Sequence, residues 1–177
     1  MLQVLTCLAF LLPHALAATL PARKPAPNVI LITIDTVRAD HLGCYGAENV
    51  QTPTLDALAR DGIVFERAIS QVPLTWPSHA AILTGTYPFQ NGVQDFTGPP
   101  LAPQFRSVAQ AFKQHGYVTG AVVSAFVLDR SFGLARGFDS YDDAFSAEIF
   151  QKKDLGLVDR KAADSVTHAI EWLKKTP

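Results

Sequence analysis

The sequence predicts an α/β fold, a parallel sheet with helices on both faces, and three observations carry that expectation. Two β-branched runs, "NVILITID" and "YVTGAVVSAF", read as strands buried in a sheet. Segments that open near Pro and close on Gly alternate with them, which is the punctuation of short helices. A hydrophobic share of 48% against 18% charged, over 177 residues, suits one domain with a real core.

Taken in order, the elements begin after a segment of a different kind. Residues 1–18 hold an apolar run from Val4 to Leu12, then Pro13 and the small residues Ala15, Ala17 and Ala18. That pattern reads as an export signal with an A-x-A cleavage site, a buried N-terminal helix being the alternative. The run is too short to span a bilayer, so the expectation is an exported protein, periplasmic or secreted, without a stable membrane span. Residues 19–27 are a Pro-rich polar linker, and the folded domain is expected over 28–177.

The first strand, Val29 to Ile34, is apolar on both faces and belongs in the middle of a parallel sheet, with Asp35 ending it. "TPTLDALARDG" is a short helix with Thr52 as cap, Pro53 at its first position and Gly62 beyond its end. "IVFERAIS" is expected as a second, shorter strand, and "WPSHAAILTG" as a second helix. "APQFRSVAQAFKQHG" places Phe105, Val108, Ala109 and Phe112 at helical spacing and closes on Gly116. "YVTGAVVSAF" is another strand, carried by Val118, Val122 and Val123. In "DRKAADSVTHAIEWLKK", Ala163, Val166, Ile170 and Leu173 share one helical face. A further strand is expected after that helix, so the sequence reads as an N-terminal part of a larger domain.

Charge and cysteine exclude several function classes. Fifteen Lys and Arg nearly balance sixteen Asp and Glu, which gives no basic excess for nucleic acid or acidic lipid. Cys7 would leave with the export signal and Cys44 would remain alone, which excludes an intrachain disulfide framework and a cysteine zinc cluster. A lone cysteine in an exported protein is more often buried than reactive, so Cys44 carries little functional weight.

Two places can carry chemistry. Asp35 follows a buried strand, where ligands of open α/β sheets bind; it could face that crevice or cap the next turn with help from Thr36. Thr75 lies two residues before Pro77, so Thr75 or Trp76 falls at a helix cap. Plain capping is the ordinary reading of Thr75 from local sequence. The same helix N-terminus would also favour an alkoxide or a bound oxyanion. Thr is a weak nucleophile unless a divalent cation, held by Asp35 and the Thr75 oxygen, lowers its pKa. His79 lies one turn on and could touch a tetrahedral anion, hydrogen-bond the nucleophile or simply be solvated. Asp40 and His41 read as structural, and His115 and His168 as exposed helix residues.

The ordered set "NVILITIDTVRADHLGCYG", "TPTLDALARDGIVFERAIS", "PLTWPSHAAILTGTYP", "GYVTGAVVSAF" and "RGFDSYDD" resembles the N-terminal part of the sulfatase family, within the alkaline phosphatase superfamily. The agreement runs from about Asn28 to Phe145. The resemblance implies an α/β/α sandwich around a mixed, mostly parallel sheet, with a metal, usually calcium, at the strand ends. It implies Asp35 and Thr36 at metal-ligand positions, Thr75 as nucleophile and ligand, His79 beside it and Ser78 at the anion. The substrate class it implies is an anionic sulfuric or phosphoric ester.

The departures from that pattern are chemical. Sulfatases carry Cys or Ser where Thr75 stands, followed by x-Pro-Ser-Arg, and oxidise it to formylglycine. Oxidation of a threonine would give a ketone, so no formylglycine is expected here. His79 stands in the place of the arginine, Thr36 in the place of a second acid, and "VVSAF" lacks the family's sulfate-contacting Lys and His. A Thr nucleophile is similar to the superfamily's phosphodiesterase branch, which commonly uses two zinc ions. Three readings stay open: a sulfatase-family ester hydrolase, a Thr-nucleophile phosphodiesterase or phosphatase, and a non-catalytic anion- or partner-binding domain. The substrate and oligomeric state are not legible.

Overall fold

The computed structural model describes residues 26–145 and 159–176, so the export segment read at 1–18 and most of the linker lie outside the described residues. The chain divides into two compact units, Met1–Ile34 and Asp35–Pro177. In the first, the described residues 26–34 are irregular, and among the described residues they carry no strand ladder. Ile32 is 74% exposed and its apolar neighbours are exposed with it. This corrects the expected central strand. A run apolar on both faces becomes a sheet strand only when neighbours supply ladder bonds and cover both faces.

The second unit opens with two single 3₁₀ turns, Ala39–His41 and Gly43–Tyr45. Helix α1, Pro53–Asp61, starts with Pro at its first position after Thr52, as expected. The Thr52 hydroxyl ties the preceding loop to α1 by accepting from Gly43 N at 2.8 Å and donating to Asp56 Oδ1 at 3.0 Å. The strand expected in "IVFERAIS" is absent from the structure. Ile63, Phe65 and Ile69 are exposed there, so this run too lacks the cover that a β-strand of apolar residues needs.

Helix α2, Thr75–Thr84, ends on Gly85 in the left-handed conformation (φ 67°), whose N–H caps the carbonyl of Ala81. Its buried face is Trp76, Pro77, Ala80 and Ala81, two adjacent rows at i, i+4 spacing. A four-residue helix α3, Pro88–Asn91, follows. Helix α4 spans Val108–Gln114 and starts later than expected, because Ser107 forms a capping box with Gln110. Phe105 therefore lies outside the helix while packing against the core.

Strand β1, Gly120–Val122, pairs in parallel with β2, Ser140–Asp142, in the register Gly120 with Ser140 and Val122 with Asp142. Two more 3₁₀ turns, Phe126–Leu128 and Arg130–Phe132, lie in the crossover between them. The core is Trp76, Ala80, Val93, Leu101, Leu128 and Leu134, with Phe132 and Val123 packed against it. The Trp76 and Phe132 rings meet edge to face with centroids 4.9 Å apart.

Helix α5, Ala162–Lys175, forms as the periodicity predicts, but with a different side inward. Val166, Ile170 and Leu173 are exposed, while Ser165, Ala169 and Trp172 are half-buried. Gly120 makes this docking possible: a Cβ there would stand 2.5 Å from the Trp172 ring. Arg160, with a side chain 6% exposed, completes the attachment. It donates to Asp142 Oδ1 at 2.9 Å, and His168 Nδ1 bonds the other carboxylate oxygen, Oδ2, at 2.5 Å. His168, expected as a plain exposed residue, thus ties α5 to the end of β2.

Candidate active site

Helix α2 positions the site. Its N-cap is Leu74 (φ −133°, ψ 136°), which has no side-chain oxygen to offer, and Thr75 is the first helical residue. Pro77 has no N–H, and the first helical bond is Ser78 N to Leu74 O at 2.9 Å, which sets the start one residue earlier than a Thr75 cap would. The capping reading of Thr75 is therefore corrected. Its hydroxyl is available for another partner, and it donates to Asp35 Oδ2 at 3.0 Å, across forty residues of sequence. Buried Trp76 and Pro77, directly behind Thr75, fix this end of the helix on the core.

His79 follows one turn later, and its Nδ1 donates to the backbone carbonyl of Thr75 at 2.8 Å. That bond places the Nδ1 proton and turns Nε2 to the far side of the ring. Ser78 Oγ lies 3.5 Å from Ser70 Oγ, whose own hydroxyl donates to Val72 O at 2.9 Å. Ser70 is a neighbour the sequence did not single out; the only signal was a hydroxyl residue in the loop leading to Pro73. Thr36, the residue after Asp35, has φ 54°, the one positive φ on a non-glycine among the described residues.

Among the predicted site residues the structure thus joins Asp35 to Thr75 and Thr75 to His79, with Ser78 on the same first turn. Asp40 pairs with Arg38 instead, an exposed local ion pair. His115 is the C-cap of α4. Cys44 is a free thiol of intermediate exposure.

A carboxylate and a hydroxyl side by side are hard oxygen donors, the kind calcium and magnesium select. Two such donors fit part of a shell that calcium fills with six to eight oxygens. Among the described residues, no group of three or more His, Cys, Asp or Glu could hold a metal ion by itself.

The order of these residues along the chain matches a known pattern: the family model described as Sulfatase aligns with residues 27–176. The chain belongs to the sulfatase family. This sulfatase-family chain is 34% identical to arylsulfatase D of Homo sapiens over 131 residues, 68% of this chain and 22% of that protein. It is 35% identical to steryl-sulfatase of Rattus norvegicus over 127 residues, 66% of this chain and 22% of that protein. Of solved structures, the phosphonate monoester hydrolase of Agrobacterium radiobacter superposes with a TM-score of 0.60 at 26% identity, covering 71% of this chain and 28% of that one. The α/β fold of the sulfatases is therefore the fold of this chain. The chain spans about a fifth of the length of these curated relatives. Among the described residues no helix is long and apolar enough to cross a membrane.

Proposed function

We propose that this protein is an exported, metal-dependent hydrolase of anionic esters, and that these residues carry its nucleophile. The observation that supports the reading is the hydrogen bond from Thr75 Oγ1 to Asp35 Oδ2, at the N-terminus of a helix anchored by buried Trp76. Asp35 and Thr75 would hold a divalent cation, calcium by the hardness of the donors, with further ligands completing the shell. A bound cation supplies the charge that lowers the hydroxyl pKa and neutralises the anionic ester.

The chain's own groups then have distinct roles. Asp35 accepts the hydrogen bond of the Thr75 hydroxyl in the resting geometry and so orients the lone pairs of Oγ1 away from itself. The positive dipole end of α2 would favour negative charge in the ester. His79 holds the Thr75 carbonyl and keeps the first turn in place, and Ser78, on the same turn, would offer its hydroxyl to the anion. Thr75 would react as an unmodified alcohol, without formylglycine: Oγ1 bonds the sulfur or phosphorus as the substrate's alcohol departs with the proton that Thr75 loses. Water would then hydrolyse the threonine ester, releasing sulfate or phosphate and restoring Thr75.

The full-length protein, supplied with calcium, is expected to hydrolyse an aryl sulfate or an aryl phosphate. Thr75→Ala should lower that rate by about two orders of magnitude or more while leaving the fold intact by circular dichroism. Wild-type turnover in Thr75→Ala would remove Thr75 from the mechanism. A second reading, a phosphodiester- or phosphonate-type hydrolase working with zinc, is favoured by the structural likeness to the phosphonate monoester hydrolase. Faster turnover of an aryl phosphodiester with zinc than of an aryl sulfate with calcium would select it. No divalent-cation binding and no turnover would leave the non-catalytic binding domain.

A further inference from the structure

The backbone at Thr36 is unusual. A β-branched residue at φ 54° sits in the left-handed region, where its Cβ crowds the backbone. Glycine or asparagine is the ordinary occupant of such a corner. Every other positive φ among the described residues belongs to a glycine. Such strain persists only where the surroundings impose the conformation, and it gathers at functional sites.

Its place gives it a purpose. Thr36 directly follows Asp35, whose carboxylate meets the Thr75 hydroxyl forty residues away. The left-handed corner turns the chain as soon as Asp35 has passed, so the φ of Thr36 sets how the peptide that carries Asp35 lies against the chain that follows it. We propose that Thr36 is a positioning residue, acting through its left-handed backbone to hold Asp35 on Thr75, and not a ligand acting through its hydroxyl. The proposal rests on the reading of Asp35 and Thr75 as the reactive pair, and it changes the role that the resemblance implied for Thr36.

Backbone and hydroxyl separate cleanly in two substitutions. Thr36→Gly removes the hydroxyl and keeps a positive φ accessible; Thr36→Pro removes the hydroxyl and fixes φ near −65°. Two readouts on the full-length protein test the proposal, the first without metal. In EDTA, Thr75→Val is combined with each variant and the thermal midpoint is read. Loss of the Asp35 bond should lower the midpoint by about 1 °C in the wild-type and Thr36→Gly backgrounds, and by nothing in Thr36→Pro. In the second, calcium alone is titrated by calorimetry. Thr36→Gly should stay within about threefold of wild type, and Thr36→Pro should weaken binding by tenfold or more, as Asp35→Asn does.

Equal loss of calcium affinity in Thr36→Gly and Thr36→Pro would overturn the proposal, since the hydroxyl would then be the ligand. An undiminished Thr75→Val decrement in Thr36→Pro would overturn it as well, because φ would not matter. Should Thr36→Pro fail to fold, the Thr36→Gly decrement decides: a full decrement supports the proposal, a lost one refutes it. A wild-type protein that binds no calcium or zinc refutes the metal-site reading, while the EDTA experiment still judges Thr36.

Discussion

Replacing Trp76 by Ala tests whether the reactive end of α2 is held by the core. Trp76 is 1% exposed and packs edge to face on Phe132, among Ala80, Val93, Leu101, Leu128 and Leu134. Truncating a buried aromatic to Ala costs ~3–5 kcal/mol, and more when neighbours cannot collapse into the space. Ala80, one turn on, has no side chain that could reach into it. A loss of ~4 kcal/mol, with a urea dependence of ~2 kcal/mol per molar, moves the unfolding midpoint down by ~2 M. That is a large share of the ~5–15 kcal/mol that holds a typical domain folded. Trp76→Phe is the control. It keeps an aromatic ring in place and removes an indole N–H that has no acceptor among the described residues. Relief of that unpaired donor, ~1–3 kcal/mol, offsets the lost ring area, so the midpoint should stay within ~0.5 M of wild type. The assay is urea unfolding followed by far-UV circular dichroism at fixed pH and temperature. A Trp76→Ala midpoint within ~0.5 M of wild type, with unchanged slope, would refute the claim that this ring anchors the helix.

Asp35→Asn keeps the size of the side chain but removes its charge, and should weaken calcium binding at least ~10-fold by calorimetry. Gly137→Ala should be costly, because Gly137 has φ 95° and an added Cβ would stand 2.5 Å from Gln110 N; the expected loss is ~2 kcal/mol or more, read as a lower Tm. Ser107→Ala removes the α4 cap, whose hydroxyl accepts from Gln110 N at 3.2 Å, and should cost ~1 kcal/mol in the same assay. Stability should also fall in acid. Asp139, bonded by Lys113 and Thr119, is held at about 2. Partial burial pushes Asp142 upward, but bonds from Arg160 and His168 outweigh it and hold it at about 2 as well. Both lie below the ordinary 3.8, so their contribution is complete above that value and is lost as pH falls from about 4 through about 2. A flat urea midpoint between pH 5 and 2 would contradict this.

Helix punctuation was legible where it was explicit: Pro53 opens α1, and Gly85 closes α2. The Ser107–Gln110 box was also present in the sequence, but hydrophobic spacing alone starts the helix too early, at a Phe105 that packs from a loop. Periodicity identified α5 without its inward side, because that side is chosen by a distant notch at Gly120. Strand β2 is three residues long and has no alternation to detect. The runs at 29–34 and 63–70 show the converse: β-branched residues state a preference that only neighbouring strands can satisfy. At the site, residue types pointed to Asp35 and Thr75, but only the folded chain brings the hydroxyl onto the carboxylate and leaves it free of capping. Nothing in the identity of Thr36 announces a left-handed corner, since threonine is a poor occupant of one.

The distance in sequence between Asp35 and Thr75 also fixes when the pair can form during folding. Closing a loop of forty residues costs roughly (3/2)RT ln 40, ~3 kcal/mol before any constant term. A single hydrogen bond between partly exposed groups contributes ~1 kcal/mol and cannot drive that closure. The contact must wait until α2 has settled on its aromatic core and the chain around Asp35 has been brought alongside. Chemical competence would therefore lag behind compaction in refolding. In the native state the same pair would be among the first to part, in openings that leave the helix around Trp76 intact.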